Sequence, residues 1–386
     1  VTEFFFEVSV PLIEGMAFAE EVTLDGGYRY SDYDYNEETD TYGIRLGWAI
    51  NQQIKARGSF QRAIRGPNVQ ELFLPQGLNL FDMAEDPCGG PVTNGVTNSG
   101  RTFEECARSG VTAQQFGNIA NSPAGQYNFL QGGSQDLSPE EADTWSAGLV
   151  LAPDFIEGLT LTVDYYNIEI EDGINNLSPE FILNECLDGN QSQCSLVQRG
   201  NSGDLWIGSN VASSGQVVAL NDNLAIEEVE GYDVIVDYII DAGQWGSVNI
   251  NNNLAYIDKW DQQELKGAEA VDCAGNWGAS CGYPTPDLQN NPRVTWATPW
   301  DVTASVLWRY IDEVEPTDDI YETMDSVNYF DVALLWEPTA QVGLRLGVNN
   351  LFDEEPPIAV GGFAPGENGN TRPGIYDALG QYWFAG

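Results

Sequence analysis

The sequence predicts an all-β protein, an antiparallel transmembrane β-barrel. Three observations lead there: apolar and polar residues alternate along about thirteen segments, short connections alternate with long ones, and aromatic residues stand near the ends of the apolar faces. Successive side chains of a strand point to opposite faces, so alternation produces one apolar face and one polar face. A membrane barrel turns the apolar face to lipid and the polar face to its lumen.

Residues 341–351 show the alternation most clearly. One parity is apolar throughout: Val342, Leu344, Leu346 and Val348. Arg345 lies on the opposite parity, and Pro356 and Pro357 prevent the strand from resuming. We expect the apolar set to face lipid and Arg345 to face the lumen.

The predicted strands come in couples along the chain. They lie at residues 3–12, 21–33, 41–50, 54–64, 143–152, 159–171, 226–240, 246–257, 293–299, 302–311, 326–337, 341–351 and 380–386. Short turns join the strands of a couple, whereas long polar segments such as 66–140, 173–224 and 258–290 join the couples. Outer-membrane barrels separate short periplasmic turns from long extracellular loops in this way. A large water-soluble β protein is the alternative.

Two further segments repeat the facing pattern, and one departs from it. In 302–311 and 326–337 the apolar parity carries Val302, Ala304, Val306, Trp308, Tyr310, Phe330, Val332, Leu334 and Trp336. In 159–171 the apolar parity holds as far as Tyr165 and then changes to Tyr166, Ile168 and Ile170. One extra residue near Tyr165 would cause that change, so a β-bulge is predicted there.

The composition excludes several functions. The chain has 15 Lys and Arg against 59 Asp and Glu, a formal net charge of -44, which argues against nucleic-acid binding. There is no His, which removes the usual general base and the commonest metal ligand. We therefore expect no enzyme and no cofactor. The acidity fits a solvated surface, or one that holds divalent cations.

The chain has no apolar run near the length of about 18–20 residues that a membrane helix needs. It opens with VTEFFFEVSV, already in strand pattern and without a signal peptide, so we expect a mature chain or a fragment.

The six Cys fall in three local pairs within polar segments: Cys88 with Cys106, Cys186 with Cys194, and Cys273 with Cys281. Six Cys allow about 15 pairings, but separation along the chain favours the local one. Disulfides that staple loops in an oxidising compartment are the expected state, with free thiols or a metal site as alternatives.

At this point the residues resemble TonB-dependent outer-membrane receptors, in the C-terminal part of the β-barrel domain. The resemblance lies in RAIRGPNVQELFLP (62–75), LSPEEADTWSAGLVLAP (137–153), LTLTVDYYNIEIEDGI (159–174) and VNNLFDEEPP (348–357). No single motif decides it, whereas their order and spacing are specific.

The resemblance implies a 22-stranded barrel filled by an N-terminal plug and coupled through a TonB box to an inner-membrane energy source. It also implies the outer membrane of a Gram-negative bacterium, with lipid, lipopolysaccharide, a TonB-type protein and a bulky nutrient as partners. Residues 1–386 contain neither plug nor TonB box and only about thirteen strands. We therefore expect a partial barrel, clipped at both ends.

A weak calcium site is suggested in one predicted loop. Asp32, Asp34 and Asn36 space oxygen ligands as calcium-binding loops do, but the distal Glu and the Gly of an EF-hand are missing. A solvated acidic loop tip is the alternative.

Polar residues of one parity are candidates for the lumen wall: Lys55, Arg57, Gln61, Arg65, Arg309 and Arg345. They would offset lumenal carboxylates or contact the plug, and an internal set of salt bridges is the alternative. Arg62 has the opposite parity, where it could meet lipopolysaccharide phosphates.

Three loop aromatics are candidates for ligand stacking: Trp206, Trp277 and Tyr283. The alternative is that they anchor their own loops. Adjacent carboxylates such as Glu140 and Glu141 face opposite ways in a strand and indicate no acid–base dyad.

Three functions remain open from the sequence. The first is energised import of a ferric chelate, cobalamin, oligosaccharide or peptide. The second is a passive porin-like channel, and the third is a secreted β-rich carbohydrate-active enzyme. A plug-like domain upstream would favour the first, whereas Val306, Trp308, Val332 and Leu334 buried in a two-sheet core would favour the third.

Overall fold

The computed structural model describes residues 1–33, 38–207, 214–278, 281–317, 322–359 and 371–386. Within these ranges the strands are β1 (Thr2–Met16), β2 (Ala19–Asp32), β3 (Glu38–Ala49), β4 (Ile54–Arg65), β5 (Gly77–Asp82), β6 (Gln126–Gln131), β7 (Glu140–Leu151), β8 (Leu159–Asn175), β9 (Val197–Gln198), β10 (Gln216–Val218), β11 (Asp222–Asp241), β12 (Ser247–Gln263), β13 (Val271–Asp272), β14 (Asn276–Trp277), β15 (Leu288–Asn290), β16 (Arg293–Ala297), β17 (Val302–Ile311), β18 (Glu315–Pro316), β19 (Val327–Thr339), β20 (Val342–Asn349) and β21 (Tyr382–Ala385). The helices are α1 (Val69–Phe73), α2 (Phe103–Arg108), α3 (Pro179–Asp188) and α4 (Gln191–Cys194), with a 3-10 turn at Gly243–Trp245. None of these described helices is long and apolar enough to cross a membrane.

One large antiparallel sheet dominates the structure. Its strands follow the order β1-β2-β3-β4-β7-β8-β11-β12-β15-β17-β19-β20-β21, with β13 and β16 attached beside that path. The order reproduces the thirteen predicted strands, so the predicted fold class is confirmed. Within the described residues the sheet is not closed, because β1 and β21 form its two edges.

Strands β15 and β16 are one strand interrupted by a proline. Gln289 pairs with Ile311 and Arg293 with Leu307, which is the same register on both sides of the gap. Pro292 has no N–H to donate, but its carbonyl accepts from the Trp308 N–H at 2.9 Å. The interruption therefore removes one hydrogen bond without shifting the pairing.

The two ends of the sheet differ in connection length, as predicted. One end carries tight turns, including Phe18 and Asp301, whose φ angles are 64° and 57°. In another tight turn the Asn51 Oδ1 accepts from the N–H of Gln53 and Ile54. The other end carries long segments, of which 66–139 and 176–221 are the longest.

The facing pattern of β17 and β19 is confirmed. Val306 pairs with Val332, and Trp308 stacks on Phe330 with ring centroids 6.2 Å apart. On the opposite face Arg309 pairs with Tyr329. Val306 and Leu334 are 44% and 45% exposed, so the apolar face is not covered by a second sheet. Among the described residues, these side chains are therefore not buried in the two-sheet core that would have favoured a secreted enzyme.

Two bands of aromatic residues border the apolar face. Near the tight turns Trp300 packs edge-on against Trp245 and Trp296, with centroids 6.1 and 6.3 Å away. Toward the long loops the ring centroids of Tyr165 and Tyr232 lie 5.4 Å apart. Such bands mark the two interfaces of a bilayer.

The bulge predicted near Tyr165 is wrong. The register between β7 and β8 is continuous from Glu141 opposite Glu171 to Leu151 opposite Leu161. Ile168 and Ile170 therefore lie on the other face of the sheet from Tyr165. Beyond Tyr165 the face that began apolar carries polar residues such as Asn167, because the strand continues past the apolar band. The nearest register shifts are in β12, opposite Glu230 and Gly231, and between β8 and β11, between Ile170 and Ile174.

The long segments have structure that the sequence analysis did not predict. Strands β5, β6, β10 and β9 form a small sheet of their own, and α2, α3 and α4 pack beside it. Its core contains both local disulfides and the buried residues Met83, Val111, Ile119, Tyr127, Leu177, Ile182, Leu183, Leu187, Val197, Leu205, Val217 and Ala219. We call the described residues of this unit, 77–131, 177–207 and 214–219, the two-loop body. A smaller core gathers Trp277, Ile311, Val314, Met324, Val327, Tyr329, Ala359 and Tyr376.

A charge on the apolar face should be costly. We expect Val306→Arg to destabilise the bilayer-inserted protein by about 2–4 kcal/mol, because Val306 lies midway between the aromatic bands. Ser305→Arg, one residue away on the polar face, should cost less than about 1 kcal/mol. Denaturant unfolding in phospholipid vesicles measures both, and equal losses would contradict the assigned faces.

Candidate ligand-binding surface and polar wall

Local capping residues define the ends of two helices in the two-loop body. Thr102 caps α2 in a capping box, in which its Oγ1 accepts from the Glu105 N–H and the Glu105 carboxylate accepts from the Thr102 N–H. Ser178 caps α3, and Gly189 ends it with φ 113°. The Thr102 N–H holds the pKa of the Glu105 carboxyl below its ordinary value. That stabilisation is present above the unfolded pKa and is lost as pH falls through the lowered one.

Three disulfides staple the loops in the pairing that was expected: Cys88–Cys106, Cys186–Cys194 and Cys273–Cys281. Each closes a short stretch within a single loop, with sequence separations of 18, 8 and 8 residues. The disulfides therefore do not connect one loop to another.

A buried ion pair makes that connection. The Arg199 Nη1 lies 2.6 Å from the Asp86 Oδ2, and the two side chains are only 4% and 0% exposed. Arg199 also donates to the Ser109 Oγ and the Gly203 carbonyl, while Asp86 accepts from the Cys88 N–H. Because these partners satisfy both charges, the pair joins the two segments without leaving a buried group unpaired.

Further hydrogen bonds join the same two segments. Arg101 pairs with Asp188, and Arg108 donates to the Leu187 carbonyl. The Asn128 side chain donates to the Gly215 carbonyl at 3.0 Å, and its N–H donates to the Leu205 carbonyl at 2.8 Å. Segments that are distant in sequence thus form one packed unit.

The three predicted stacking aromatics have different surroundings. Tyr283 is 61% exposed, and Arg372 lies 4.8 Å from its ring centre. Trp206 is partly exposed, and its Nε1 donates to the Ala120 carbonyl at 2.8 Å, so it anchors its loop. Trp277 is fully buried in the smaller core. Its ring does not reach the surface, so the stacking prediction for Trp277 is wrong.

The predicted wall residues of β4 share one face of the sheet. Lys55, Arg57, Gln61 and Arg65 lie opposite to Phe60, which packs on Trp145. Arg57 reaches across Gly148 to Asp164, with Nη2 and Oδ2 2.5 Å apart. A Cβ at Gly148 would overlap the Asp164 carboxylate, so a glycine is needed for this contact. We call this face, with Lys55, Arg57 and Gln61, the polar wall.

Two further wall candidates lie near the chain's last strands. Arg309 contacts the carboxylates of Asp331 and Asp377 at 2.9 and 2.5 Å and lies over the Tyr329 ring at 4.8 Å. Arg345 lies 4.9 Å from the centre of the Phe384 ring. The Asp377 contact ties the long segment before β21 to the sheet.

Sequence reasoning missed two cations of the polar wall. Arg45 lies between Asp25 and Ser59 in register, and Arg29 lies 5.7 Å from the centre of the Phe5 ring. Strand alternation in β2 and β3 was the signal that would have found them. Recesses of about 540 and 490 Å³ open along this wall, and the residues that line them include Glu21, Lys55, Arg57 and Arg45.

Metal binding finds no support in the part of the chain that the structure describes, where no group of three or more Cys, Asp or Glu is placed to hold an ion. Of the weak calcium candidates, Asp34 and Asn36 lie outside the described residues. In the smaller core, burial raises the pKa of the Tyr376 hydroxyl, which therefore stays protonated.

Removing the buried ion pair of Arg199 and Asp86 should destabilise both segments of the two-loop body together. We expect Arg199→Gln to lower the stability of the two-loop body by about 3–5 kcal/mol, because it leaves Asp86 charged and buried. Hydrogen exchange should then rise in residues 77–131, 177–207 and 214–219 and stay unchanged in β7 and β8.

The matched control is Arg101→Gln, which removes an ion pair between the same segments. Its partner Asp188 is 57% exposed, so the loss should be below about 1 kcal/mol. Equal exchange in both variants would contradict a special role for the buried pair.

The fold resembles solved receptors. The ferric enterobactin receptor PfeA of Pseudomonas aeruginosa aligns with 99% of this chain and 44% of its own, at 15% identity and a TM-score of 0.63. The siderophore receptor PirA of Acinetobacter baumannii aligns with 92% of this chain and 41% of its own, at 12% identity and a TM-score of 0.58. The FrpB iron transporter of Neisseria meningitidis aligns with 99% of this chain and 44% of its own, at 10% identity and a TM-score of 0.51.

At such identities these structures establish the fold alone, and the chain spans less than half of their length. A search of curated proteins finds no match. A family model for the TonB dependent receptor-like β-barrel matches residues 2–351. The chain therefore belongs to the TonB-dependent receptor family, whose β-barrel model it matches.

Proposed function

We propose that this chain is part of an outer-membrane receptor that takes up a bulky nutrient with energy supplied through TonB. The observation that carries the proposal is one large antiparallel sheet with an uncovered apolar face, a polar wall and a packed loop unit at one end. Members of the family are transporters rather than enzymes. In this proposal the loops capture the cargo, and the cargo is released along the polar wall.

The polar wall is the proposed contact surface for a plug. Lys55, Arg57, Gln61, Arg65, Arg309 and Arg345 are proposed to face the lumen. The recesses between β1 and β4 support this, because they give the wall a concave surface with both signs of charge. We assign 1–386 as a partial barrel, with the plug contributed from outside these residues.

The cell outer membrane is the proposed location. The two aromatic bands and the apolar residues between them match the interfaces and the hydrocarbon of a bilayer. Just past the Tyr165 band, Arg62 lies 2.5 Å from the Asp143 carboxylate and 3.2 Å from Glu141. Its charge is already neutralised, so a contact of Arg62 with lipopolysaccharide phosphate would require exchange of these partners.

The structural relatives named above bind or transport iron complexes, and the same broad class of chelates is one proposed cargo here. Cobalamin, oligosaccharides and peptides are the other classes. The exposed Tyr283 and the partly exposed Trp206 are the proposed aromatic contacts for such a cargo.

The test is uptake by whole cells that produce the intact receptor. We expect a labelled cargo from one of these classes to accumulate only when TonB and the proton gradient are present. Accumulation that continues without either would instead identify a passive porin-like channel and would contradict the proposal.

A further inference from the structure

We propose that the cargo accepted at the loop end of this chain carries no net negative charge, being a neutral or cationic solute rather than an anionic chelate. This inference rests on the proposed uptake function and specifies its substrate class. It is carried by the positions and partners of the 15 Lys and Arg side chains, all of which lie within the described residues.

The cations divide into two groups along the barrel. One group lies on the polar face between the aromatic bands: Arg45, Lys55, Arg57, Arg293 and Arg345. The other group lies toward the long loops: Arg29, Arg62, Arg65, Arg101, Arg108, Arg199, Lys259, Lys266, Arg309 and Arg372. A cargo arriving from outside meets the second group first.

Carboxylates of the same chain neutralise most of this second group. Arg65 pairs with Glu71 at 3.1 Å and with Glu140. Lys259 pairs with Glu228 and Asp261 at 2.6 and 2.9 Å. Arg62, Arg101, Arg199 and Arg309 are paired as described above. Five of these six cations contact two carboxylates, so each such site is neutral or negative overall.

The remaining four cations are the minority of this group. Arg29 lies over the Phe5 ring, and Arg372 is 7% exposed against the Tyr283 ring. Arg108 is exposed and donates to a main-chain carbonyl. Lys266 is exposed near the tip of its loop, where Glu264 and Glu269 flank it in the sequence.

An anionic cargo would therefore have to displace a carboxylate from an arginine or bind at one of the few exposed cations within this acidic surface. Both routes are unfavourable, because charge-assisted hydrogen bonds to arginine supply much of the affinity for anions. The excess of 59 acidic over 15 basic side chains also repels anions over longer distances. A neutral cargo avoids this repulsion, and a cationic cargo is attracted.

The experiment uses cells that produce the intact receptor and a matched series of probes. One ferric trihydroxamate is prepared with a free terminal amine, with the amine acetylated, and with the amine succinylated, which changes the charge from positive through neutral to negative. A neutral oligosaccharide and its uronate counterpart form a second pair.

We expect TonB-dependent uptake of the neutral and cationic members to exceed that of the anionic members by about 10-fold at low salt, with a smaller ratio at high salt. Equal or faster uptake of the anionic members would overturn the inference while leaving the uptake function intact. Absence of TonB-dependent uptake for every member, and also for a cobalamin and a peptide probe, would contradict the proposed function and, with it, the inference.

A pair of variants tests the mechanism. Asp377→Asn removes one of the two carboxylates on Arg309 and should raise anionic uptake several-fold relative to neutral uptake. Asp301→Asn makes the same change of charge in a tight turn at the opposite end and should leave the ratio unchanged. Asp377→Glu restores the charge and controls for loss of folding. The same ratio in Asp377→Asn and Asp301→Asn would contradict the role given to the paired cations.

Discussion

Main-chain hydrogen bonding between neighbouring strands is the constraint on which the rest of this structure depends. In hydrocarbon an unpaired N–H or C=O has no water to bond, so each strand needs a partner in register. The register in turn fixes the faces, since a slip of one residue would turn the lipid side chains inward. Pro292 shows how closely the constraint is kept: the chain loses one donor there, yet the pairing of Gln289 and Arg293 with β17 keeps one register.

The same requirement explains why the long loops form a packed structure. A loop of such length would leave many main-chain groups without partners, and the two-loop body satisfies them with a small sheet, three of the four helices and a hydrophobic core of its own. Asp86 and Arg199 then join its two halves where the disulfides do not. The surface proposed to meet cargo is therefore a packed scaffold, in which most of the cations are paired with carboxylates of the same chain.

The sequence predicted what depends on local periodicity and missed what depends on distant contacts. The thirteen strands and the faces of β17, β19 and β20 follow from alternation, although Val348 proves to be buried, at 4% exposed, on the predicted lipid-facing parity. Ile168 and Ile170 misled the bulge prediction because apolar residues occur on either face once a strand leaves the membrane. Trp277 is an aromatic residue in a polar loop, as a ligand contact would be, but its side chain lies in the smaller core. The pairing of Asp86 with Arg199 spans 113 residues, and no local sequence pattern predicts it.

The central claim is that adjacent residues of one strand face lipid and water in turn, whatever their own hydrophobicity. Spin labels placed singly at residues 332 to 336 in bilayers test it, because collision rates with oxygen and with a polar nickel chelate report the surroundings of each label. We predict high oxygen and low nickel collision rates at Val332, Leu334 and Trp336, and the reverse at Ala333 and at the apolar Leu335. Uniform rates along the strand, or a lipid signal at Leu335, would contradict the account.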